Sequence, residues 1–330
     1  MRIYKTTDFT LPWYDFSTLS ALASCPRKGV IQYRHNKHMP EHRTSQALSA
    51  GSAMHKFFAA WNGFEKPELL ASFDKQALEN MYAASSLAMS GEARLNFALE
   101  VFNDYEESNN DKKRSLTNLQ KSAIYWSEMQ THKWDIIAVE QPFDVTLEFV
   151  TKPETVVEDV VNSLPKCVRY VGLIDAIAQT TNGTIFSVEY KTTGRITDAY
   201  RSQWILSPQL TGYNLALKAL FGEDKVASYS VLEAITIPIP YKPGTAPVHM
   251  REQFGRGSVQ FEVFESFVRA GVKTAETVDE PWNVYANPGA CNNYNSVCQY
   301  LPFCSVDVED REYIFKNELV EQVWNPIGVV

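Results

Sequence analysis

The sequence has no uninterrupted apolar run near the roughly 20 residues that a membrane-spanning helix needs. Its first residues, MRIYKTTDFTLPWYDF, also lack the apolar core and the small cleavage-site residues of a secretory signal peptide. It has neither internal repeats nor low-complexity segments. With 45% hydrophobic and 21% charged residues, the composition is that of a globular protein, which we expect to be intracellular and without a membrane partner.

Positive charge is not in excess either, since the formal net charge is −8. This argues against tight, non-specific binding of nucleic acid, because affinity for phosphates comes from Lys and Arg side chains that release counterions. A local basic groove is still compatible with that charge. One basic stretch begins beside Cys25, and a solvated surface is an equally good interpretation of it. Its candidate nucleic-acid contacts are Arg27, Lys28, Arg34 and Lys37.

The first 133 residues read as helical. Residues 15–35 fit a helix that begins near Asp15 or Ser17 and is interrupted at Pro26, and residues 48–61 fit a second. Residues 66–133 are rich in Ala, Leu, Glu and Lys, which predicts about three more helices. We expect breaks between them at residues 90–91 and 106–111.

The character of the sequence then changes to β-branched and aromatic residues in partial alternation. This predicts strands, with a hairpin turn at Asn182-Gly183 between the second and the third. A helix, a fourth strand, a loop near 240–247, another helix and a polar tail follow. The expected ranges are 135–149, 168–179, 184–191 and 226–239 for strands and 203–221 and 257–277 for helices. This order predicts a mixed α/β core with helices before and after it.

Two carboxylates and a lysine are placed to converge in that core. Asp175 lies in the second strand, and Glu189 and Lys191 share one face of the third, because side chains alternate with period two. Across a hairpin, the two acids can approach each other. Mg²⁺ prefers carboxylate oxygens and activates water for phosphodiester hydrolysis, and a lysine can stabilise the resulting negative charge. Taken alone, an E-x-K triplet more often marks a solvated strand edge.

Two helical pairs accompany this set. His55 follows Gly51 on one helix face, where a glycine allows close approach, although a lone histidine on a helix is more often a surface residue than a ligand. Gln209 and Tyr213 share a face of the later helix, with residues 207 and 208 as its N-cap and first position. An amphipathic helix edge would also explain that pair. Glu140 in the first strand is a further acid that could support the others.

The ordered set Gly51-x3-His55, Gly172-x2-Asp175, Glu189-x-Lys191 and Gln209-x3-Tyr213 resembles the RecB-type branch of the PD-(D/E)XK nucleases, over roughly residues 15–304. The resemblance implies a restriction-endonuclease-like mixed sheet flanked by helices. It implies that His55, Asp175, Glu189 and the backbone carbonyl of Tyr190 bind Mg²⁺ or Mn²⁺. It further implies that Lys191 is catalytic, with Asp175 and Glu189, and that Gln209 and Tyr213 support the site or the DNA strand.

The five cysteines do not suggest a disulfide framework in an intracellular chain of this size. Four thiolates can hold zinc or a 4Fe–4S cluster, and the spacing lacks the paired C-x2-C knuckles of zinc ribbons. One cysteine precedes the nuclease motifs and three follow them. This order resembles that of the iron–sulfur members of the RecB branch, namely AddB-like proteins, CRISPR-associated exonucleases and phage proteins. The resemblance implies a 4Fe–4S cluster that staples the chain ends. Its ligands would be Cys25, Cys291, Cys298 and Cys304.

The sequence as a whole thus predicts one nuclease domain over residues 1–330. Its parts would be N-terminal helices (1–65), a helical insertion (66–133), a catalytic core (134–240) and a C-terminal helix with the three clustered cysteines (241–330). The expected activity is metal-dependent cleavage of DNA ends or single strands. Recombination, repair, CRISPR adaptation and phage DNA processing are candidate pathways, with a helicase, recombination or CRISPR protein as possible partner, in the cytoplasm (the host's, for a phage protein).

Two alternatives remain open from the residues. A DNA-binding or scaffold protein could keep the fold and the cluster without catalysis, although such a protein has no need to concentrate carboxylates near phosphate. A zinc-stapled hydrolase of another substrate would be colourless, whereas an iron–sulfur protein is brown. We expect no role for Cys167 in the metal cluster.

Overall fold

A computed structural model describes residues 1–40, 46–63, 91–105, 114–131, 134–150, 164–238, 245–278, 280–293 and 296–327. The chain divides into two compact units. The terminal unit comprises Met1–Arg43, Phe143–Gly172 and Ser258–Val330, and the central unit comprises Thr44–Pro142 and Leu173–Gly257. None of the helices in the described ranges combines the length and the apolar character that crossing a bilayer requires.

The described residues form a mixed α/β fold. Its strands are β1 (Arg2–Lys5), β2 (Trp13–Tyr14), β3 (Lys37–His38), β4 (Trp134–Glu148), β5 (Cys167–Thr180), β6 (Ile185–Thr193), β7 (Tyr229–Thr236), β8 (His249–Gly255), β9 (Asn292–Asn293), β10 (Ser296–Val297) and β11 (Val320–Glu321). Its α-helices are α1 (Phe16–Ser24), α2 (Pro26–Gly29), α3 (Gln46–Gly63), α4 (Gly91–Leu99), α5 (Leu116–Glu128), α6 (Asp198–Ser202), α7 (Pro208–Phe221), α8 (Ser258–Thr277), α9 (Leu301–Cys304) and α10 (Val308–Asn317).

A central, mostly antiparallel sheet is flanked by helices. Its strand order is β1-β4-β5-β6-β7-β8, with β2 beside β5. β5 and β6 form an antiparallel hairpin, and Gly183 takes the left-handed backbone conformation that its turn requires, with φ of +87°. β6 and β7 run parallel, and the connection between them contains α6 and α7. The expected restriction-endonuclease-like sheet agrees with this arrangement.

The core of the central unit fixes the orientation of β6. Tyr190 is buried, and its ring lies 4.7 Å from Phe58 of α3 and 5.8 Å from Trp126 of α5, between ring centroids. Its hydroxyl accepts a hydrogen bond from Asn62 Nδ2 at 2.9 Å. Since alternate residues of a strand point to opposite faces, this packing turns Glu189 and Lys191 to the other face of the sheet.

Several predicted element boundaries are confirmed. Asp15 caps α1 by accepting hydrogen bonds from the backbone N–H groups of Ser17 and Thr18, and the helix is interrupted at Pro26. The predicted helices at 48–61 and 257–277 correspond to α3 and α8, and the four predicted strands to β4, β5, β6 and β7. The expected break at residues 106–111 lies outside the described residues, as does Ser90 of the break at 90–91. The helix α4 begins at Gly91.

One predicted boundary was wrong, and two elements were not foreseen. The predicted helix at 203–221 begins only at Pro208, because proline cannot donate a backbone hydrogen bond inside a helix. Strand β8 was not foreseen, since only Met250 and Phe254 of its side chains are buried hydrophobics. The expected polar tail contains α10, which has no buried residue and therefore no apolar stripe in its sequence.

Candidate active site

The two acids meet where the β5–β6 hairpin ladder ends. Ala176 pairs with Val188 in that ladder, and both side chains lie in the core. The next residues, Asp175 and Glu189, therefore point to the opposite face, and both are buried, at 8% and 0% exposure. Asp175 is fixed further, because its Oδ2 accepts a hydrogen bond from the backbone N–H of Tyr190 at 2.8 Å. The expected convergence of the two carboxylates is present.

Lys191 lies two residues beyond Glu189 and faces the same side. Its ammonium forms an ion pair with Glu189 Oε1, while its side chain keeps about 29% exposure. Glu189 Oε2 is buried and has no hydrogen-bond partner among the described residues. A buried carboxylate oxygen without a donor is unfavourable by itself. The site is thus chemically suited to take a cation at this oxygen.

His55 reaches the acids from α3. Its Nδ1 lies 3.3 Å from Asp175 Oδ1. Four residues earlier, a Cβ added at Gly51 would lie 3.8 Å from Thr192 Oγ1, which is an ordinary van der Waals contact. The histidine is placed as the sequence predicts, but steric approach to β6 does not require the glycine.

The carboxylate of Glu140 lies closer to His55 and Asp175 than the sequence indicates. Ligand atoms of His55, Glu140 and Asp175 all lie within 4.8 Å of one another, the one such group of His, Cys, Asp or Glu ligand atoms found in the described ranges. Glu140 has a φ of +45°, in the left-handed region that side chains other than glycine rarely adopt. Such strain persists only where surrounding structure holds it, and it is frequent at functional sites.

The charges of the site are strongly coupled. Burial raises the pKa of Glu189 to about 8, and the negative charge of Asp175 adds to this effect. Burial and Asp175 likewise raise the pKa of Glu140 to about 7. Burial would raise the pKa of Asp175 too, but His55 and Lys191 outweigh it and lower that pKa. Burial opposes the charge on Lys191, yet the two acids outweigh it, and the pKa of the ammonium is raised.

The family comparison agrees with this arrangement. The family model described as the PD-(D/E)XK nuclease superfamily matches residues 16–305. The chain belongs to the PD-(D/E)XK nuclease superfamily. Among solved structures it is similar to the crystal structure of SSO0001, with 12% identity, coverage of 69% of this chain and 79% of that chain, and a TM-score of 0.28. That value is too low for the two sites to be compared. No curated relative matches the chain.

In this PD-(D/E)XK chain, α7 carries the glutamine and the tyrosine of the motif. Ser207 is the N-cap, its side chain accepts a hydrogen bond from the backbone N–H of Leu210, and Pro208 is the first helical residue, as predicted. Gln209 Nε2 donates a hydrogen bond to Tyr213 Oη at 3.0 Å. The two side chains therefore form one hydrogen-bonded unit on the first turns of the helix.

The four cysteines of the expected cluster lie in one corner of the terminal unit. Asn287 borders two of them, because its backbone N–H lies 3.5 Å from Cys25 Sγ and its carbonyl lies 3.9 Å from Cys291 Sγ. The backbone N–H of Cys298 donates to the carbonyl of Cys291 at 2.8 Å. Burial raises the pKa of Cys298, with contributions from Cys25 and Cys304. Cys167 instead lies in β5, 3.9 Å from Tyr4 Oη.

The four basic residues suggested as DNA contacts have different surroundings. Arg27 is buried, and its Nε donates to the carbonyl of Val284 at 2.8 Å. Arg34 forms an ion pair with Glu276 at 3.2 Å, and Lys37 one with Glu321 at 3.5 Å. Lys28 lies close enough to Cys298 to oppose the rise of that pKa. Their suggested role in nucleic-acid binding stays a prediction.

One side chain near the acids has no counterpart in the motifs. Tyr200 of α6 interacts electrostatically with both Lys191 and Glu189. No spacing or residue pattern in the sequence indicates it, because α6 is a five-residue helix whose position depends on the packing of the chain around it.

Proposed function

We propose that this chain is a divalent-metal-dependent deoxyribonuclease. The observation that carries the proposal is the buried carboxylate of Glu189 beside Asp175 and Lys191, which has an oxygen without a donor in the part of the chain that the structure describes. Carboxylate oxygens are the ligands that Mg²⁺ and Mn²⁺ prefer. The donor set therefore fits such an ion, held by His55, Asp175, Glu189 and the backbone carbonyl of Tyr190. Glu140 is within reach as a further ligand.

The chain's own groups divide the work of phosphodiester hydrolysis. When bound, the metal supplies Lewis acidity, lowering the pKa of water and stabilising charge on the phosphate. The raised pKa of Lys191 keeps its ammonium protonated, so that it offers a positive charge where negative charge develops. The Tyr190 N–H and His55 hold the two oxygens of Asp175 in fixed directions. The Gln209–Tyr213 pair supports the site or a bound strand.

We further propose an exonuclease that acts on DNA ends or single strands. The support is the resemblance of the ordered motifs to the RecB-type branch. Recombination, repair, CRISPR adaptation and phage DNA processing are candidate pathways for such an enzyme, and a helicase or a recombination or CRISPR protein is a possible partner.

The test is cleavage of end-labelled single- and double-stranded DNA in Mg²⁺ or Mn²⁺. We expect the wild-type protein to cleave, and Lys191→Ala and Asp175→Ala to lose cleavage while keeping a wild-type circular dichroism spectrum and melting transition. Lys225→Ala, an exposed lysine of the same unit, is the matched control and keeps full activity. Cleavage by Lys191→Ala at the wild-type rate would show that the site is misassigned. A folded wild-type protein that binds DNA without cutting it would favour the DNA-binding alternative.

We also propose that Cys25, Cys291, Cys298 and Cys304 hold a 4Fe–4S cluster. The support is the donor set, which consists of four thiolates, and the common corner of the terminal unit in which the four cysteines lie. The sequence also lacks the paired C-x2-C spacing of zinc ribbons, and the order of its cysteines resembles that of the iron–sulfur members of the RecB branch.

Anaerobic purification followed by iron analysis and visible absorption tests the cluster. We expect a brown protein with about four irons per chain, the metal content of the proposed cluster. Cys298→Ala should lose the iron and lower the melting temperature, because a metal site joining distant segments contributes its binding free energy to folding. Cys167→Ala, which removes the cysteine outside the corner, should keep both. An unchanged melting curve for Cys298→Ala would show that the cysteines do not form a staple.

A further inference from the structure

Tyr200 packs on the same face of the sheet as the two proposed catalytic side chains of β6. In the parallel ladder, Glu189 pairs with Leu232 and Lys191 with Ala234. Paired residues of neighbouring strands point to the same face. Tyr200 packs against the buried cluster that contains Leu232 and Ala234. Its ring therefore lies on the sheet face that carries the catalytic pair, and its electrostatic interaction with both Lys191 and Glu189 agrees with this position.

The surrounding structure holds this tyrosine in place. Thr197 caps α6 by accepting a hydrogen bond from the Tyr200 backbone N–H at 3.1 Å. Trp204 packs edge-on against the Tyr200 ring, with centroids 6.1 Å apart. The buried guanidinium of Arg256 fixes that turn, because it donates to the Trp204 carbonyl at 2.8 Å and to Thr211 Oγ1 at 3.1 Å.

The hydroxyl of Tyr200 is buried and has no hydrogen-bond partner among the described residues. The indole nitrogen of Trp204 is close by, but the two groups do not reach hydrogen-bond geometry. Burial raises the pKa of Tyr200 to about 12, although Lys191 opposes the rise, so the phenol stays protonated near neutral pH. A rigidly held, buried donor that has no protein acceptor is suited to an acceptor on a ligand.

We propose that the Tyr200 hydroxyl donates a hydrogen bond to a non-bridging oxygen of the scissile phosphate, beside the ammonium of Lys191. This role rests on the nuclease function proposed above. Two donors, one charged and one neutral, then face the phosphate from the same side of β6. Tyr200 is in this sense a catalytic residue, because its hydroxyl touches the group at which charge develops.

The experiment compares wild-type protein and Tyr200→Phe in single-turnover cleavage of three DNA substrates. One has a natural phosphodiester at the cleaved position, and the others have an Rp or an Sp phosphorothioate there. Removing one donor to a developing charge should slow cleavage of the diester by about 10- to 100-fold. Tyr200→Phe should slow cleavage by the same factor with the phosphorothioate diastereomer that keeps the contacted oxygen. With the diastereomer that has sulfur at that position, the hydrogen bond is already weakened, so wild-type protein and Tyr200→Phe should cleave at equal rates, as a double-mutant cycle requires.

The phenylalanine keeps the ring packing, and melting curves check that the variant is folded. Tyr229→Phe, which removes a hydroxyl from another tyrosine of the central unit, should cleave all three substrates at the wild-type rate. Equal slowing of all three substrates by Tyr200→Phe would indicate a structural defect and overturn the phosphate contact, as would an unchanged rate. Failure of the wild-type protein to cleave any substrate would instead overturn the nuclease function, and this inference with it.

Discussion

Two buried glutamates on adjacent strands of the same sheet have opposite surroundings. Glu189 of β6 is fully buried and forms an ion pair with Lys191, and one of its oxygens has no hydrogen-bond donor within the described ranges. Glu233 of β7 is 2% exposed. Its carboxylate accepts hydrogen bonds from Trp126 of α5 at 2.9 Å and from Gln130, just after α5, at 3.3 Å. Two residues of β8 also contact it, namely Arg251, which donates at 2.7 Å, and His249 at 3.4 Å.

The pKa values of the two acids move in opposite directions as a result. Burial raises the pKa of Glu189 to about 8, whereas at Glu233 the His249 and Arg251 contacts outweigh burial and lower the pKa. A buried carboxylate of this kind holds elements together, since both of its oxygens have hydrogen-bond donors. A buried carboxylate that lacks hydrogen-bond donors lowers the stability of the fold. Such a carboxylate is found at Glu189, where a cation and a substrate can supply the missing partners. Two residues of the same type are thus distinguished by what surrounds them.

The largest expected effect comes from removing a partner of Glu233. Arg251→Leu leaves a buried carboxylate without its guanidinium, which should lower the free energy of unfolding by about 3–5 kcal/mol. The wild-type contribution of Glu233 is present above its ordinary pKa of 4.5 and is lost as pH falls, because the folded-state pKa is lowered. In the variant, burial should raise that pKa, so that stability falls as pH rises above 4.5.

Urea unfolding at pH 4, 5.5 and 7, in the presence of a chelator, measures this difference. The gap between wild-type protein and Arg251→Leu should widen with pH. Arg195→Leu removes an exposed arginine of the same unit and should leave stability within about 0.5 kcal/mol at every pH. A gap of constant size would mean that the arginine acts through packing on Trp134 and not through the charge of Glu233.

The same substitution at the two glutamates should separate their roles. Glu189→Gln removes a proposed metal ligand and should lower the cleavage rate at least about 100-fold, since even residues that only orient ligands are worth about 10- to 100-fold. It should change the free energy of unfolding of the metal-free protein little at pH 7, because burial raises the pKa of Glu189 to about 8 and the acid is then largely uncharged, as a glutamine is. Glu233→Gln should do the reverse, with a lower melting temperature and nearly normal cleavage by the folded fraction. Loss of cleavage in both variants without loss of stability would break the distinction.

Local patterns in the sequence predict the parts of this site that depend on one or two elements. Period two in a strand places Glu189 and Lys191 on one face, and Asn182-Gly183 marks the hairpin that brings Asp175 opposite them. The Ser207-Pro208 start of α7 is likewise local. These features follow from backbone chemistry within a few residues, so the sequence is sufficient for them.

Features that depend on how distant segments pack were not predictable. Arg256 donates hydrogen bonds to the carbonyls of Trp204 and Ser207, and no pattern near residue 203 indicates these contacts with a residue of a distant segment. Glu140 has a left-handed backbone conformation within β4, and no pattern in the sequence indicates it. Its place beside His55 requires the docking of α3 against the sheet. The sequence could therefore suggest Glu140 as an accessory acid without placing it among the ligand atoms.

Substitution of Glu140 gives the smallest predicted effect, and it tests whether the metal ligands extend beyond the motif residues. Its carboxylate lies within 4.8 Å of ligand atoms of His55 and Asp175, but it has a raised pKa and no place in the family motifs. Glu140→Gln should weaken Mn²⁺ binding about tenfold, a smaller loss than that of a motif ligand, because the other donors remain. Titration of Mn²⁺ followed by electron paramagnetic resonance measures this affinity without relying on cleavage. Unchanged affinity, beside the loss expected for Glu189→Gln, would place Glu140 outside the metal ligands and restrict those ligands to the motif residues.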